Sequence, residues 1–534
     1  MKKIITTVAL CVSGLSLFWA CQYGSRAESG GTNHWKAPDW ADTLKNPIKT
    51  ASPELNQGET LYATYCATCH GRQGQGDGTM GAEFEVRPAN FHLPAFQQQT
   101  DGAIFWKIAE GRGPMPAYKA SLTDEQRWQL VAYLRKIYDA KNNVKPEDAI
   151  NRYLPVEDFT IDPALHSDYV PLPAAVRNAI QSEELVIMAD TVISGIELPW
   201  GMAFLPDNTI LITERSGKLL RVKNGKLQAD PIGGDVPKGL RDIKLHPHFE
   251  TNKFVYLTYY IEPTETDGGY TVLMRGRLEG DKLVNGEELY RAGPFKEGGE
   301  TYGSRITFDP AGYLYMTVGQ RTIDDRHRWL TVQDKTNPSG KVMRFHDDGR
   351  IPADNPFVDS VGALPEIYTY GHRQPQGLTT DPKTGAVWET EHGEMGGSEL
   401  NRLTAGGNFG WPLVTFSRNY DGTLISEDTA RAGMVSPAAH YMPSIAPSGF
   451  DFVYGDRYPG WDGNIFIGAM VQGRLSRTVL KEGKAVHDER LLENIGRIRD
   501  VKYGPDQFLY LVIEDKQIKN NSRIVRLIPL KNKN

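Results

Sequence analysis

The chain has 534 residues, 40% hydrophobic and 24% charged, which calls for two or more domains and excludes a disordered, collagenous or multi-span membrane protein. Lys and Arg number 60 against 66 Asp and Glu, so the net charge is −6; no basic surplus exists to neutralise phosphates, and nucleic acid is not an expected partner. The 54 glycines and 33 prolines predict many turns between short strands.

Met1-Lys2-Lys3 and the apolar run that follows to Ala20 predict an export signal over residues 1–21. Ala20-Cys21 resembles a lipoprotein cleavage site, so a periplasmic protein lipid-anchored through Cys21 is expected, with no other membrane contact. The bulky Phe18 and Trp19 depart from the usual pattern there, and ordinary cleavage near Ser25-Arg26-Ala27 or an uncleaved anchor stays open. Residues 22–54 read as a linker.

With Cys11 in the signal and Cys21 as the anchor, two cysteines remain, in Cys66-Ala67-Thr68-Cys69-His70. C-x-x-C-H is the pattern of c-type haem attachment. Two thiols at this spacing add to the two vinyl groups of one porphyrin, and the imidazole that follows reaches the iron. Zinc would need two further thiolate or imidazole ligands, and there is no second cysteine pair. A helix is predicted over 55–65 and another over 121–138, where Ser121 and Asp124 resemble a capping box and Trp128, Val131, Leu134 and Tyr138 form one stripe. Met80, His92 and Met115 are candidates for the sixth iron ligand. Met115 is favoured, because Pro114 and Pro116 stiffen its loop. Residues 55–140 thus resemble a small all-α class I cytochrome c carrying haem c, with His70 and Met115 as iron ligands.

Residues 141–184 are rich in Pro, Asp and Asn and read as an extended connector. From 185 to 530 the texture is all-β, and one script recurs about six times. Gly201 to Asp207 precedes the apolar run Ile210 to Glu214; Ile306 to Gly312 precedes Leu314 to Val318; Leu378 to Thr390, Phe450 to Ala469 and Val501 to Ile513 read alike. Period and strand content predict a six-bladed β-propeller of four-stranded blades.

Five stretches carry a family resemblance: Tyr370 to Leu378 (YGHRQPQGL), Trp388 to Asn401 (WETEHGEMGGSELN), Gly406 to Pro412 (GGNFGWP), Pro443 to Gly449 (PSIAPSG) and Arg497 to Val501 (RIRDV). Together they resemble the soluble aldose sugar dehydrogenases that depend on pyrroloquinoline quinone (PQQ), the glucose/sorbosone dehydrogenase group. The resemblance implies that Arg373, Arg497 and Arg499 fork onto carboxylates of PQQ, with Gln374 and Tyr420 in the same pocket. It also implies calcium, at the carbonyls of Gly393 and Glu394 near the quinone and at Glu399 with the Phe409 carbonyl.

Four positions depart from the family pattern. Thr301 stands where the family carries a histidine that acts as general base, and a threonine hydroxyl cannot take a proton near neutral pH. Glu300 is the candidate replacement. Gln374 replaces an asparagine, Pro237 a glutamine, and Gln320 an aspartate. The expected activity is oxidation of a sugar or polyol at PQQ, with electrons passed to the haem and on to a downstream redox protein or respiratory chain. The alternative is an electron-transfer cytochrome whose propeller has lost sugar oxidation and binds a ligand or partner.

Overall fold

The structure, a computed structural model, describes residues 35–48, 54–71, 74, 76, 88–112, 115–140, 153–154, 159–161, 179–262, 268–295, 303–321, 329–419, 423–442, 444–492, 495–515 and 521–532. The expected signal, Cys21, Met80, Glu300, Thr301 and Tyr420 lie outside the described residues. Among the described residues no helix is long and apolar enough to cross a membrane.

The N-terminal module is a cytochrome c domain built on helices α1 (Glu54–Tyr65), α2 (Ala67–His70), α3 (Asp101–Glu110) and α4 (Asp124–Ala140). α1 and α4 cross at Gly58, where a Cβ would overlap the Gln129 carbonyl, so only glycine permits this approach. Tyr62, Phe91, Ile104, Ile108, Trp128, Val131 and Leu134 are buried together between the helices. Burying each such side chain is worth about 1.5–3 kcal/mol. The capping box lies two residues beyond the expected pair. α4 starts at Asp124, so Thr123 is its cap: the Thr123 Oγ1 accepts from Gln126 N at 3.2 Å, and Gln126 Oε1 accepts from Thr123 N at 2.9 Å.

Among the described residues six sheets follow, antiparallel except for one two-residue strand, and form the β-propeller. Their innermost strands are Pro199–Phe204, Leu240–Leu245, Gly303–Phe308, Pro375–Thr380, Pro447–Val453 and Arg497–Tyr503, and each packs against the next around a closed ring. Four blades have four strands, but two are wider than expected. The second gains Gly233–Gly234, paired parallel to Lys282–Phe295. The sixth has seven strands. Its C-terminal strand Ser522–Asn532 pairs with Val186–Ile196, which precedes the first blade, so the two ends of the propeller sequence close the wheel. Tyr153–Leu154, Phe159–Ile161 and Ala179–Gln181 extend the same sheet, so parts of the expected connector are built into the sixth blade.

Arg305 ties the axis together. It is fully buried and donates Nε to the Gln376 carbonyl at 2.8 Å and Nη1 to Asp242 at 3.1 Å. The same Nη1 lies 3.4 Å from Asp500, Nη2 reaches the Arg499 carbonyl, and the guanidinium sits 5.7 Å from the Trp200 ring centre. Five blades thus meet on one side chain, which also fixes the backbone of a candidate cofactor residue.

Candidate functional site

In the cytochrome module, α2 carries Cys69 and His70, and Cys66 sits at its N-cap. Cys66 and Cys69 form no disulfide, and burial pushes the Cys66 thiol up to about 12. The Nδ1 of His70 lies 3.0 Å from the Ala89 carbonyl, and the ring stacks on Phe91 at 4.6 Å. With Nδ1–H donating to that carbonyl, the Nε2 lone pair is left for a metal, the arrangement expected of a haem-ligating histidine. Met115 packs against the same apolar core. Gly111 shapes the Met115 turn: its φ is +60°, and a Cβ would lie 2.6 Å from the Met115 carbonyl. His92 instead belongs to a turn in which its N–H donates to Asn90 Oδ1 at 2.9 Å.

In the propeller, Arg373, Arg497 and Arg499 converge on one place although they come from the ends of two different blades' sequences. The marker is His392: burial first, then the charges of Arg373, Arg497 and Arg499, hold its imidazole down at about 3. It stays neutral and faces the Pro447 carbonyl at 2.8 Å. Arg373 is braced by Nη1 donating to the carbonyls of His392 at 3.1 Å and Gly393 at 2.9 Å, by an ion pair with Glu394, and by the Trp411 ring 5.5 Å away. Arg499 pairs through Nε with Glu514, points Nη1 at the Met470 sulfur 2.8 Å away, and lies 4.9 Å from the Trp200 ring centre. Arg497 stands 3.6 Å from the same carboxylate and 3.6 Å from the same sulfur, and Arg215 stands 3.9 Å from Glu514.

Four guanidinium groups therefore share this region with the carboxylates Glu514 and Glu394, and the Arg373 backbone N–H also donates to Glu391. Burial alone would raise Glu514, but Arg499 and then Arg497 outweigh it and hold the carboxyl down at about 2. Burial also lowers Arg499 to about 10. Its Nη2 is buried with no hydrogen-bond partner. An unmet, buried, cationic donor amid surplus positive charge fits a multiply anionic ligand such as PQQ.

Two of the four departures from the family pattern touch each other. Gln374 Nε2 donates to the Gln320 carbonyl at 3.3 Å, and Gln320 Oε1 accepts from Trp411 Nε1 at 2.9 Å. They therefore form one network under the ring that braces Arg373. Pro237 is described and half-buried.

The expected calcium residues fall in two places. Gly393 and Glu394 belong to the arginine site, where the Gly393 carbonyl already accepts from Arg373. Glu399 and Phe409 line one small cavity of ≈ 10 Å³, room for about one water-sized sphere. Sequence reasoning missed how much surrounds Glu399. Glu391 lies directly opposite Glu399, and Glu389 directly opposite Asn401, on adjacent strands. Asn401 Nδ2 is left to donate to Glu389 at 3.1 Å, Glu391 at 3.1 Å and Glu399 at 3.2 Å. His372 Nδ1, fully buried and without a hydrogen bond, lies 3.5 Å from Glu391 and 3.8 Å from Glu389. Burial and the Glu391 charge push Glu389 and Glu399 well above the usual carboxylate range. Three buried carboxylates around one amide are short of positive charge, and these hard oxygen donors fit calcium. The available signal was Glu-x-Glu, which puts both side chains on one face of a strand.

A propeller with an arginine cluster around buried Arg499 and His392, joined to a cytochrome c module, defines a sugar dehydrogenase-like architecture. The chain belongs to the Glucose / Sorbosone dehydrogenase family, which its residues 196–526 match. Residues 53–134 match the family described as cytochrome C oxidase, cbb3-type, subunit III. The aldose sugar dehydrogenase YliI of Escherichia coli is 35% identical over 359 residues, covering 65% of this chain and 95% of that protein. The solved PQQ-bound form of an aldose sugar dehydrogenase from Streptomyces coelicolor is 27% identical with a TM-score of 0.51, covering 65% of this chain and 98% of that one. Cytochrome c6 of Parathermosynechococcus lividus is 31% identical over 81 residues, covering 15% of this chain and 87% of that protein.

Proposed function

We propose that this chain is an exported quinohaemoprotein that oxidises a sugar or polyol at PQQ and delivers the electrons to its own haem c. The observation that carries the reading is Arg499, buried with Nη2 unmet and joined by Arg497 at Glu514, together with Arg373 braced on the carbonyls of residues 392 and 393, in a chain that also holds a haem-attachment motif. Arg497 and Arg499 would hold carboxylates of PQQ, with Glu514 and Met470 fixing their planes. Arg373 would orient the quinone end, braced by Trp411 and the carbonyls of residues 392 and 393. Cys66 and Cys69 would attach the haem, with His70 and Met115 as iron ligands. PQQ would supply a two-electron acceptor, calcium held by Glu389, Glu391 and Glu399 would stiffen the fourth blade, and haem would supply a one-electron carrier.

Glu300 takes the substrate hydroxyl proton in this reading, since Thr301 cannot. The precursor is exported and held at a membrane through Cys21, and a downstream redox protein re-oxidises the haem. Reconstitution of the holocytochrome with PQQ and Ca²⁺ tests the reading: aldoses or polyols should reduce the haem, and Arg499→Ala should weaken PQQ binding at least about thirtyfold. Thr301 also favours the second reading, a propeller that only binds. That reading would be preferred if no quinone bound and no substrate in a broad panel reduced the haem.

A further inference from the structure

A cleft of ≈ 930 Å³ separates the two modules, lined on the cytochrome side by Thr60, Ala63 and Ala67 and on the propeller side by His440, Met442 and Ser444. We propose that Met442 and Ser444 are the electron exit of the propeller, and that the cytochrome face at Ala63 and Ala67 docks on it. The inference rests on the quinohaemoprotein reading above and adds the route to it.

On the cytochrome wall, Ala67 directly follows the haem-attaching Cys66, and the small side chains of Ala63 and Ala67 keep the backbone that bears the haem thioether close to the cleft. On the propeller wall, a continuous line of hydrogen bonds leads back to the arginine site. Ser444 Oγ lies 2.6 Å from Ser398 Oγ, Ser398 Oγ accepts from Gly393 N at 3.2 Å, and the Gly393 carbonyl accepts from Arg373 at 2.9 Å. Met442 gives a second contact. A Cβ at Gly396 would overlap its sulfur, so the thioether lies against the site loop itself, while the side chain is 44% exposed. A polarisable sulfur that touches both the site loop and the opening suits electron passage. The propeller wall carries Arg474, Asp488 and Arg490, with Asp488 paired to Arg474, and the cytochrome wall carries Glu59, so the two walls bear opposite net charge.

Electrons and protons balance as follows. Oxidation of one hydroxyl to a carbonyl releases two electrons and two protons. The protons go to solvent. The electrons pass one at a time through the exit to ferric haem, which an external one-electron acceptor re-oxidises between the two transfers.

Two measurements test this on holoprotein loaded with haem, PQQ and Ca²⁺. Met442→Glu adds a carboxylate to the propeller wall of the cleft whose cytochrome wall carries Glu59, and Ala63→Lys adds a cation to the cytochrome wall of the cleft whose propeller wall carries Arg490. Each is expected to slow aldose-driven haem reduction, followed by stopped flow, at least about tenfold. In Ala63→Lys, turnover with a small diffusible dye should stay within about twofold, since Ala63 lies on the cytochrome wall of the cleft and outside the arginine site. Independently of catalysis, Thr64→Cys with Ala485→Cys, one on each wall, should give an intrachain link with a short bismaleimide in the haem-loaded protein without PQQ, mapped by mass spectrometry. Unchanged haem reduction in both variants, or no link between positions 64 and 485, would overturn the inference alone. A parent protein with bound PQQ but no dye-linked turnover would instead sink the dehydrogenase reading, and this inference with it.

Discussion

Arg499 is fixed by Glu514, and that pair has consequences measurable without any substrate. Glu514 is buried, and Arg499 and Arg497 depress its pKa from the ordinary 4.5 to about 2. A carboxyl depressed on folding stabilises the native state above its unfolded pKa, and that contribution is lost as pH falls from about 4.5 to about 2. The difference corresponds to about 3 kcal/mol. Glu514→Gln should therefore flatten this limb of an acid-denaturation curve and cost about 3–5 kcal/mol near neutral pH by leaving Arg499 buried without its partner. Calcium gives a second test at this scale. Chelation should lower the thermal midpoint of the propeller, and Glu389→Gln should shrink that shift by leaving two of the three carboxylates charged. A shift that stayed the same would remove Glu389 from the cation site. Arg373, Arg497 and Arg499 stand out in the sequence because each lies inside a distinctive motif, whereas Arg215, which the fold brings to Glu514, has none. Glu389 and Glu391 were not: Glu-x-Glu reads as an ordinary solvated strand face until the strand register sets them against Asn401 and Glu399.

Two elements control whether each module holds together. Gly58 lets α1 and α4 touch backbone to backbone, so Gly58→Val should destabilise the cytochrome by about 1–3 kcal/mol. Soret absorbance should report that loss, while the far-UV signal of the propeller melts unchanged. Ser522–Asn532 is the strand that closes the wheel, and deleting residues 522–534 should abolish the cooperative propeller transition yet leave the haem spectrum intact. The repeated strand-turn script made the blades readable, because each copy alternates apolar runs with Gly, Asn and Asp turns. The additions from residues 153–181 were not readable. They join the sixth blade by main-chain pairing at a sheet edge, which needs no side-chain period. The capping box was misplaced for a similar reason, since Ser121 and Thr123 both stand three residues before a polar partner, and only the start of α4 at Asp124 chooses between them.

At the scale of the whole molecule, a sugar dehydrogenase-like propeller is covalently continuous with a cytochrome c module. A tethered acceptor has an effective concentration set by the connector rather than by the solution. Transfer within one chain should therefore be first order, with a rate that does not change as protein is diluted. Fold and module order were legible because repeats and C-x-x-C-H survive in one dimension. The route between the modules was not, because Ser398, Ser444 and Met442 acquire meaning only where the blade rim meets the cleft. The most direct test mixes haem-, PQQ- and Ca²⁺-loaded protein with excess aldose in a stopped-flow instrument and follows the reduced haem band over about a hundredfold range of protein concentration. One rate constant is expected throughout. A rate that scales with protein concentration, or a haem that stays oxidised while the quinone is reduced, would contradict it.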